Sequence, residues 1–446
     1  MTHDFAGYID DRPDDGIFRV DRSVYNDPAV LDAEYRTIFE GGWIFLCHET
    51  HIPKPGDYFT TWLGRQPVFV TRGEDGSVNG FLNACGHRGA MLLTYRVGNA
   101  KTIDCPYHGF CFNQKGDCIS VRNKRTGWPD NFDIGRFDLT PIARIDSYRG
   151  LVFGSLSPDV PELRDYLGAA TALIDIFVAP APAELEIVPG FCVYVSNCNW
   201  KVMHENGPDA YHAPVVHRNF ADTIAFRESR GTFEGVHKTE RGRLTARIDS
   251  ASYDLGNGHT AFWNERTTPE AYPIYAHKDE LAKRFTPGQL DWILGRGRHM
   301  TVFPNLLMND LASSHLRTYR PLSVDHTETI IWCIAPVGEP ADMRAARLRK
   351  FEDFFLPSGM ATPDDIAIVE AAQRASFAYA SRWTDMGRGT MFRVAGPDQA
   401  AKNLGFVPAA SSNSWDHEIA LQGVYRHWLS RVSGNGPARN GGVRRG

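Results

Sequence analysis

The fold of this chain is decided by two short segments, Cys-Gly-His-Arg at residues 85–88 and Cys-Pro-Tyr-His-Gly at residues 105–109. Together they read C-x-H, seventeen intervening residues and C-x-x-H, so each segment supplies one thiol and one imidazole. A Rieske-type [2Fe–2S] cluster needs these ligands, because two thiolates hold one iron and two imidazoles hold the other. We therefore predict that the cluster ligands are Cys85, His87, Cys105 and His108.

Tetrahedral zinc is the alternative, because two cysteines and two histidines also satisfy that metal. Zinc sites usually keep like ligands together, whereas here each segment carries one ligand of each kind. The spacing therefore favours the iron–sulfur cluster. The glycines that follow Cys85 and His108 are expected to let backbone N–H groups approach the sulfurs.

Composition describes an ordinary globular protein. The 446 residues can form two or three domains, and 42% of them are hydrophobic and 23% charged. A net charge of −5 argues against a nucleic-acid binder. No apolar run reaches the roughly eighteen residues of a membrane span, and the N-terminus lacks the layout of a signal peptide. Eight dispersed cysteines do not form a disulfide framework, so we expect a reducing cytoplasm.

The Cys–His segments lie in a region of β character. Short runs rich in aromatic and β-branched residues, separated by turns, extend from Gly42 to Gly154. They predict a small antiparallel β domain at 40–157, inserted into a larger domain made of 1–39 and 158–433. The Gly-, Asn- and Arg-rich residues 434–446 are expected to be a disordered tail.

In the larger domain, residue patterns predict both helices and strands, so the expected class is α+β. The predicted helices are 28–39, 160–178, 341–355, 363–377 and 414–432. The predicted strands are 184–197, 299–308, 315–320 and 327–336. Asp27 and Thr362 are the expected N-caps of two of these helices, and Gly256-Asn257-Gly258 predicts a turn.

A second concentration of chemistry lies at residues 199–217. His212 and His217 are five residues apart, about 140° around an ideal helix, so they would not converge on a straight one. Pro214 between them disturbs the turn and can bring both imidazoles to one point. Asp209 precedes His212 by three residues, on the same face of a helix, where it can accept an imidazole N–H or bridge to another group.

Two histidines and one carboxylate that leave open positions on a metal are typical of non-haem Fe(II) oxygenases. The third ligand must come from elsewhere, and Asp364 and Asp365 in the first turn of the 363–377 helix are the best-placed candidates. Acidic residues there also complement the helix dipole, so the sequence alone leaves this role open. A mononuclear iron at this site is chemically compatible with the predicted cluster, because the cluster can store one electron for O2 activation at the iron.

Taken together, these features resemble the large (alpha) subunit of Rieske non-haem iron ring-hydroxylating dioxygenases. The resemblance covers nearly the whole chain and rests on C-x-H-R-G…C-x-x-H-G and N-W-K…E-N-G-x-D-x-Y-H-x4-H. Four further segments are similar to the benzoate/anthranilate-type branch: Gly64–Pro67, Ser147–Gly150, Glu205–Gly207 and Asp385–Gly389.

The resemblance implies a site and a fold. Cys85, His87, Cys105 and His108 would hold the cluster. His212, His217 and Asp365, the second acid of its pair, would hold the mononuclear iron. Asp209 matches the aspartate that links an iron-ligating histidine to a cluster-ligating histidine of the neighbouring subunit. The fold would be an antiparallel β Rieske domain inserted into a helix-grip catalytic domain with a twisted antiparallel sheet.

The resemblance also implies an activity and partners. The chain would cis-dihydroxylate a small monocyclic aromatic such as benzoate, anthranilate or salicylate with O2. Electrons would come from NADH through a separate reductase, either directly or by way of a ferredoxin, and a small beta subunit would complete an α3β3 hexamer. Alternatives are an aniline-type amine dioxygenase, a Rieske monooxygenase or demethylase and, from another class, a Rieske electron carrier without catalysis.

Three positions depart from the family pattern. Phe110 stands where the family usually has Trp, and we expect it to serve equally as an aromatic lid. His204 and Arg218 flank the iron motif where benzoate-type relatives often carry neutral residues. Arg218 could pair with a substrate carboxylate, since a guanidinium fits a carboxylate bidentately, but a surface or interface arginine is the simpler interpretation.

Overall fold

Antiparallel strands make up most of the regular structure. A computed structural model describes residues 5–178, 185–231, 248–311 and 313–434. The strands are β1 (Ile9–Arg12), β2 (Ile17–Asp21), β3 (Ile44–His48), β4 (Asp57–Leu63), β5 (Gln66–Arg72), β6 (Val78–Leu82), β7 (Val97–Asn99), β8 (Ile103–Asp104), β9 (Cys111–Phe112), β10 (Cys118–Ser120), β11 (Arg144–Tyr148), β12 (Leu151–Ser155), β13 (Leu185–Ile187), β14 (Cys192–Ser196), β15 (Ser250–Gly256), β16 (His259–Glu265), β17 (Arg296–Val302), β18 (Leu306–Asp310), β19 (His315–Ser323), β20 (His326–Pro336), β21 (Trp383–Asp385), β22 (Val394–Ala395) and β23 (Ala410–Ser412).

Short helices connect these strands, and three longer ones follow β20. The α-helices are α1 (Pro28–Glu34), α2 (Lys124–Gly127), α3 (Leu163–Leu167), α4 (Ala170–Val178), α5 (Trp200–Asn206), α6 (Ala213–Val216), α7 (Arg218–Ser229), α8 (Lys278–Arg284), α9 (Pro287–Leu290), α10 (Ala341–Phe355), α11 (Thr362–Ala375), α12 (Gln399–Leu404) and α13 (Ile419–Val432). Within the described part of the chain, none of the helices has the length and apolar character needed to cross a membrane.

The described residues of Met1–Ala33 and Leu167–Ala438 form one compact unit. Its main sheet has ten strands in the order β13-β20-β19-β18-β17-β16-β15-β23-β22, and β14 also pairs with β20. Almost every side chain of β16, β17 and β18 is buried, so both faces of the sheet are covered there. Helix α13 packs against β15 and β16, and α5 packs against β19 and β20.

Both ends of the chain close this unit. The β1–β2 hairpin pairs through β2 with β21, which follows α11. Asn26 donates its side-chain N–H to the carbonyl of Ser376 at 3.2 Å. The guanidinium of Arg426 in α13 donates to both carboxylate oxygens of Asp11, at 2.6 and 2.9 Å. The earliest strands therefore depend on partners near the far end of the sequence.

Residues Glu34–Tyr166 form a second compact unit. It contains three antiparallel sheets, ordered β6-β5-β4-β7, β10-β9-β8 and β11-β12-β3. One cluster of its buried side chains surrounds Cys85 and Cys105 with aromatic rings that include Phe69, Phe110 and Phe137. The predicted β domain at 40–157 lies wholly inside this unit, while its stated boundaries stay a prediction.

Several predicted elements are confirmed. The helix at 341–355 has these bounds in the structure. Asp27 caps the helix that follows it by accepting the backbone N–H of Ala29 at 2.8 Å. A tight turn at Gly256-Asn257-Gly258, all three with positive φ, joins β15 to β16. Apart from Gly434, the predicted tail at 434–446 lies outside the described residues.

Other element boundaries were wrong, and the cause is local backbone chemistry. The predicted helix 160–178 is two helices, separated at Gly168, which has a φ of +49°. The described part of the predicted strand 184–197 is two strands, with Gly190 at φ +114° between them. The predicted strand 299–308 is also two, because Pro304 has no N–H to donate to a ladder. The last helix begins at Ile419 rather than at 414.

Thr362 is not an N-cap. It is the first residue of α11, and its hydroxyl donates to the carbonyl of Phe355 at 2.8 Å. Pro363 lies in the first turn, as expected, where a missing N–H costs nothing. The next two positions of that turn are the two aspartates singled out from the sequence.

Candidate metal centres and substrate pocket

The two Cys–His segments adopt the same loop. In both 85–90 and 105–110, the cysteine N–H donates to the carbonyl five residues ahead, at 2.9 and 2.7 Å. A glycine N–H four residues ahead donates back to the cysteine carbonyl, at 2.9 and 3.0 Å. These glycines, Gly89 and Gly109, both have a φ of +69°, whereas Gly86 does not have a positive φ. Two short turns therefore present the four side chains.

The donor atoms at the loop tips fit a [2Fe–2S] cluster. The rings of His87 and His108 are 4.7 Å apart, and in the described structure neither buried Nδ1 has a hydrogen-bond partner. Cys85 and Cys105 are buried beside each other. Burial raises the pKa of Cys85, while the backbone N–H groups of His87 and Arg88 at its sulfur favour the thiolate. Such N–H groups stabilise cluster sulfurs.

Aromatic rings enclose the histidine side of this site. The ring of Phe110 stacks on His87 with centroids 4.7 Å apart and 16° between the planes. Phe110 in turn meets the ring of Phe137 edge-on at 5.0 Å. Phe110 thus packs as the aromatic lid that we expected at this departure from the family pattern.

A second group of ligands meets in the large unit. His212 and His217 lie at the two ends of the one-turn helix α6, which contains Pro214, and their rings are 5.3 Å apart. The Nε2 atom of each lies 3.4 Å from Oδ1 of Asp365. Asp365 is buried in the first turn of α11. One ligand atom from each of the three residues lies within 4.8 Å of the others, an arrangement that can hold a metal ion.

The electrostatics of this group favour a cation. Asp365 and Asp209 raise the pKa of His212 to about 10, although burial opposes the charge. Burial also works against a charged Asp365, yet His212 and His217 hold its pKa below the usual range. A metal ion would take the place of the imidazole proton, because metal ligands must be deprotonated. Two imidazoles and one carboxylate suit iron.

The structure separates the two candidate carboxylates. Asp365 meets both imidazoles, whereas Asp364 does not belong to the described ligand group. Asp364 lies in the first turn of α11, where its charge complements the helix dipole. Asn206 was missed by sequence reasoning. Its side-chain N–H donates to Oδ1 of Asp365 at 3.2 Å and so orients the carboxylate; the only sequence signal was the Glu-Asn-Gly triplet.

Asp209 reaches His212 by a different route from the predicted one. It lies in an irregular segment between α5 and α6, not on a shared helical face. Its Oδ1 accepts the backbone N–H of Tyr211 at 2.7 Å, which fixes the carboxylate. Its Oδ2 is 3.2 Å from Nδ1 of His212, on the side of the ring away from Asp365. Asp209 can therefore hold the imidazole in one orientation.

A cavity opens beside the three ligands. Its walls are mainly aromatic and aliphatic, and they include Phe262, Leu307, Leu311, Phe354, Phe355 and Trp415. Polar groups enter it from the sheet at His299, Asn309, His315 and Arg317. Concave, mostly apolar sites with a few placed polar groups are typical of small-ligand pockets.

The two residues that flank the iron motif lie outside this cavity. The side chain of Arg218 is 80% exposed and pairs with Asp222, one turn along α7, at 3.5 Å. In this chain it is a surface arginine and does not line the pocket. His204 is buried instead, next to the rings of Trp200 and Phe303.

A buried carboxyl next to this region gives a prediction about pH and stability. Burial raises the pKa of Glu205 to about 7, and Tyr425 donates a hydrogen bond to it. The folded chain therefore binds this proton more tightly than the unfolded chain does. As a result, the free energy of unfolding falls as the pH rises from the pKa that Glu205 has in the unfolded chain through 7. Between pH 5.5 and 8 the loss from this group is about 2 kcal/mol.

Glu205→Gln is expected to remove that loss. The variant should unfold at a higher temperature than the parent at pH 8. The difference between the two unfolding temperatures should be smaller at pH 5.5. Thermal unfolding at both pH values measures this, with Glu74→Gln, an exposed turn position, as the matched control. If parent and variant share one pH dependence, Glu205 does not titrate as described.

Comparison with known families matches both units. A family model described as "Rieske [2Fe-2S] domain" matches residues 42–142. A second, described as "Ring hydroxylating alpha subunit (catalytic domain)", matches residues 187–434. The first model therefore includes both Cys–His loops, and the second includes His212, His217 and Asp365.

Relatives align over almost the whole chain. Toluate 1,2-dioxygenase subunit alpha of Pseudomonas putida is 41% identical, covering 95% of this chain and 93% of the relative. The large subunits of 2-halobenzoate 1,2-dioxygenase from Burkholderia cepacia and anthranilate 1,2-dioxygenase from Acinetobacter baylyi are 36% and 34% identical. Each alignment covers 95% of this chain and 91% of the relative. A solved structure of naphthalene 1,2-dioxygenase with indole bound matches at 25% identity with a TM-score of 0.84, covering 97% of this chain and 94% of that one.

Proposed function

The chain belongs to the alpha subunits of aromatic ring-hydroxylating dioxygenases, and from this premise we propose that its substrate is a small monocyclic aromatic carboxylate. Membership makes the protein an oxidoreductase with a Rieske [2Fe–2S] cluster and a mononuclear iron. The predicted family, fold class and cofactors are confirmed. The substrate, the ligand assignments and the partners are proposals.

The substrate proposal is carried by one observation. The group His212, His217 and Asp365 opens onto a cavity whose walls are largely aromatic and aliphatic. A flat ring fits such walls, and the adjacent ligand group supplies the reactive centre. The three relatives are named for toluate, 2-halobenzoate and anthranilate, which are all ring carboxylates that differ in the second substituent. These names support a carboxylate group on the substrate of this chain.

We assign the cluster to Cys85, His87, Cys105 and His108. The matched loops, the adjacent thiols and the two Nδ1 atoms support this assignment.

The mononuclear iron is assigned to His212, His217 and Asp365, which the measured atom distances support. When bound, this iron supplies the reductive activation of O2. In the balanced reaction, the ring takes up both atoms of O2 with two electrons and two protons to give a cis-dihydrodiol.

The chain's own residues prepare the site. Asn206 holds the carboxylate of Asp365 toward the two histidines. Asp209 accepts the Nδ1–H of His212, which leaves Nε2 of that ring free to face the metal position. The rings of Phe262, Phe354 and Trp415 line the cavity and keep water from the reacting carbon atoms.

The wider assembly follows the family resemblance. We propose a small beta subunit in an α3β3 hexamer, electrons from NADH through a separate reductase, either directly or by way of a ferredoxin, and a cytoplasmic location. Asp209 would link the iron site to the cluster of a neighbouring subunit. For the domains we propose 40–157 as the Rieske domain and 1–39 with 158–433 as the catalytic domain.

Product analysis tests this function. The iron-replete protein, with a matched reductase and NADH, is given benzoate, toluates, 2-halobenzoates, anthranilate, salicylate, aniline and toluene under labelled O2. We expect the carboxylates to be consumed fastest and two labelled oxygens to enter each product except that of salicylate, whose own hydroxyl and a labelled one compete to leave as water. Preference for aniline or toluene would overturn the substrate class, and one labelled oxygen in any other product would indicate a monooxygenase.

A further inference from the structure

Four polar side chains enter the substrate cavity from neighbouring strands. In the sheet register, His299 of β17 lies opposite Asn309 of β18, which in turn lies opposite His315 of β19. Arg317 lies two residues beyond His315, on the same side of the strand. All four line the cavity together with the iron ligands. We call these four residues the polar row.

Arg317 is the one member that carries a positive charge. It is only 5% exposed, and among the described residues no carboxylate lies within 4.0 Å of its nitrogens. Its Nε–H is buried without a hydrogen-bond partner in the described structure. A buried guanidinium with unused donors is costly unless an anion accepts from it. The cavity in front of Arg317 is where such an anion can bind.

The other members of the polar row stay neutral. Burial and the charge of Arg317 lower the pKa of His299 to about 3 and hold that of His315 well below its usual range. Asn309 uses its side-chain oxygen to accept the backbone N–H of Leu311 at 2.9 Å. Its NH2 group is therefore the part that can donate to a ligand.

Burial opposes the charges of Arg317 and the nearby Asp365, and each favours the charged form of the other, but no ion pair within 4.0 Å joins them. The Oδ1 atom of Asp365 is 3.4 Å from the Nε2 atoms of both histidines and accepts from Asn206, so it is committed to the iron group. A divalent ion there leaves the region with excess positive charge. The pocket therefore suits a ligand with one anionic group and a flat apolar body. The anionic group would lie at the sheet.

We propose that Arg317 binds the carboxylate of the ring substrate through its guanidinium and so determines specificity for aromatic acids. This inference rests on the proposed function, because it names the group that recognises the proposed substrate class. A guanidinium presents two parallel N–H donors that match the two oxygens of a carboxylate. Asn309, on the adjacent strand, is placed to donate to the same group.

Binding to the iron-replete protein without O2 tests this directly. Arg317→Gln is expected to weaken benzoate binding about a hundredfold in calorimetric titration, because a charge-assisted bidentate contact is lost. Binding of toluene, which has no carboxylate, should change less than about threefold. Arg320→Gln is the matched control on the same strand, since Arg320 pairs with Glu328 at 3.0 Å and does not line the cavity; it should bind benzoate like the parent.

Thermal unfolding separates recognition from a structural role. Arg317→Met removes the buried charge and keeps much of the volume, so its midpoint without ligand should be no lower than that of the parent. Benzoate should raise the midpoint of the parent and not of the variant. A lower midpoint for the ligand-free variant, or equal losses for benzoate and toluene, would overturn the inference, because either result indicates a packing role.

The inference and the proposed function fail in different ways. If the parent oxidises ring carboxylates and Arg317→Gln binds benzoate normally, only the role of Arg317 is wrong. If the parent neither binds nor oxidises ring carboxylates but turns over toluene, the proposed substrate class is wrong as well.

Discussion

His212→Ala is expected to retain the visible absorption of the cluster and the rhombic EPR signal of its reduced form. The rate of substrate oxidation should fall by about a thousandfold or more. His212 approaches Asp365 at 3.4 Å, and with its ring removed the group keeps one imidazole and one carboxylate. Two ligands do not hold Fe(II) as three do. The cluster loops belong to a different compact unit and keep their own hydrogen bonds.

Two measurements on the same samples decide this prediction. Iron analysis should show about one iron fewer per chain than in the parent. Turnover of benzoate with reductase and NADH should be lost. His277→Ala is the control, because His277 is partly exposed on the surface and pairs with Glu280 at 3.9 Å. Parent-level turnover by His212→Ala would refute the iron assignment, and an unchanged iron content would show that His212 is not needed to hold the mononuclear iron.

Asp209→Asn is expected to keep both metals and to slow reoxidation of the reduced cluster by roughly ten- to a hundredfold. Asparagine has the same shape and can still accept the N–H of Tyr211 through its oxygen. Its NH2 group cannot accept the Nδ1–H of His212, so the link on that side of the ring is lost. The iron ligands themselves are unchanged, so iron content should stay at the parent level.

A single-turnover experiment measures this effect. The protein is reduced, mixed with benzoate and O2, and the return of the oxidised cluster spectrum is followed with time. Asp222→Asn makes the same chemical change at an exposed carboxylate that pairs with Arg218, and it should behave like the parent. A parent-like rate in Asp209→Asn would exclude Asp209 from the electron path.

Sequence reasoning needs the least knowledge of the fold where the predicted ligands are close together along the chain. Each Cys–His pair spans at most three residue steps, so one local turn is enough to bring its members together. The choice between Asp364 and Asp365 was beyond it, because both lie in one helical turn far along the chain from His217. Which of the two aspartates faces the histidines depends on the orientation of the first turn of α11 relative to α6. Packing in the whole unit sets that orientation.

Short-range reasoning misplaced one feature and left a second one open. Asp209 was assigned to a helical face, but the Gly207-Pro208 pair follows α5 and the chain is irregular there. Arg218 adjoins the motif and was weighed as a carboxylate anchor, but its exposed side chain bears out the simpler interpretation, a surface arginine. Arg317 carried a usable signal, since alternation along β19 puts it on the same buried side as His315 and Tyr319.

The pairing of β2 with β21, and of Asp11 with Arg426, has a consequence for biosynthesis. As the ribosome releases the chain, the unit Glu34–Tyr166 emerges with its partner strands already made, so its sheets can assemble during translation. The opening hairpin has to wait much longer for its outer partners. Strand β2 gains β21 only after residues 383–385 have been translated, and Asp11 gains Arg426 only after α13 has followed.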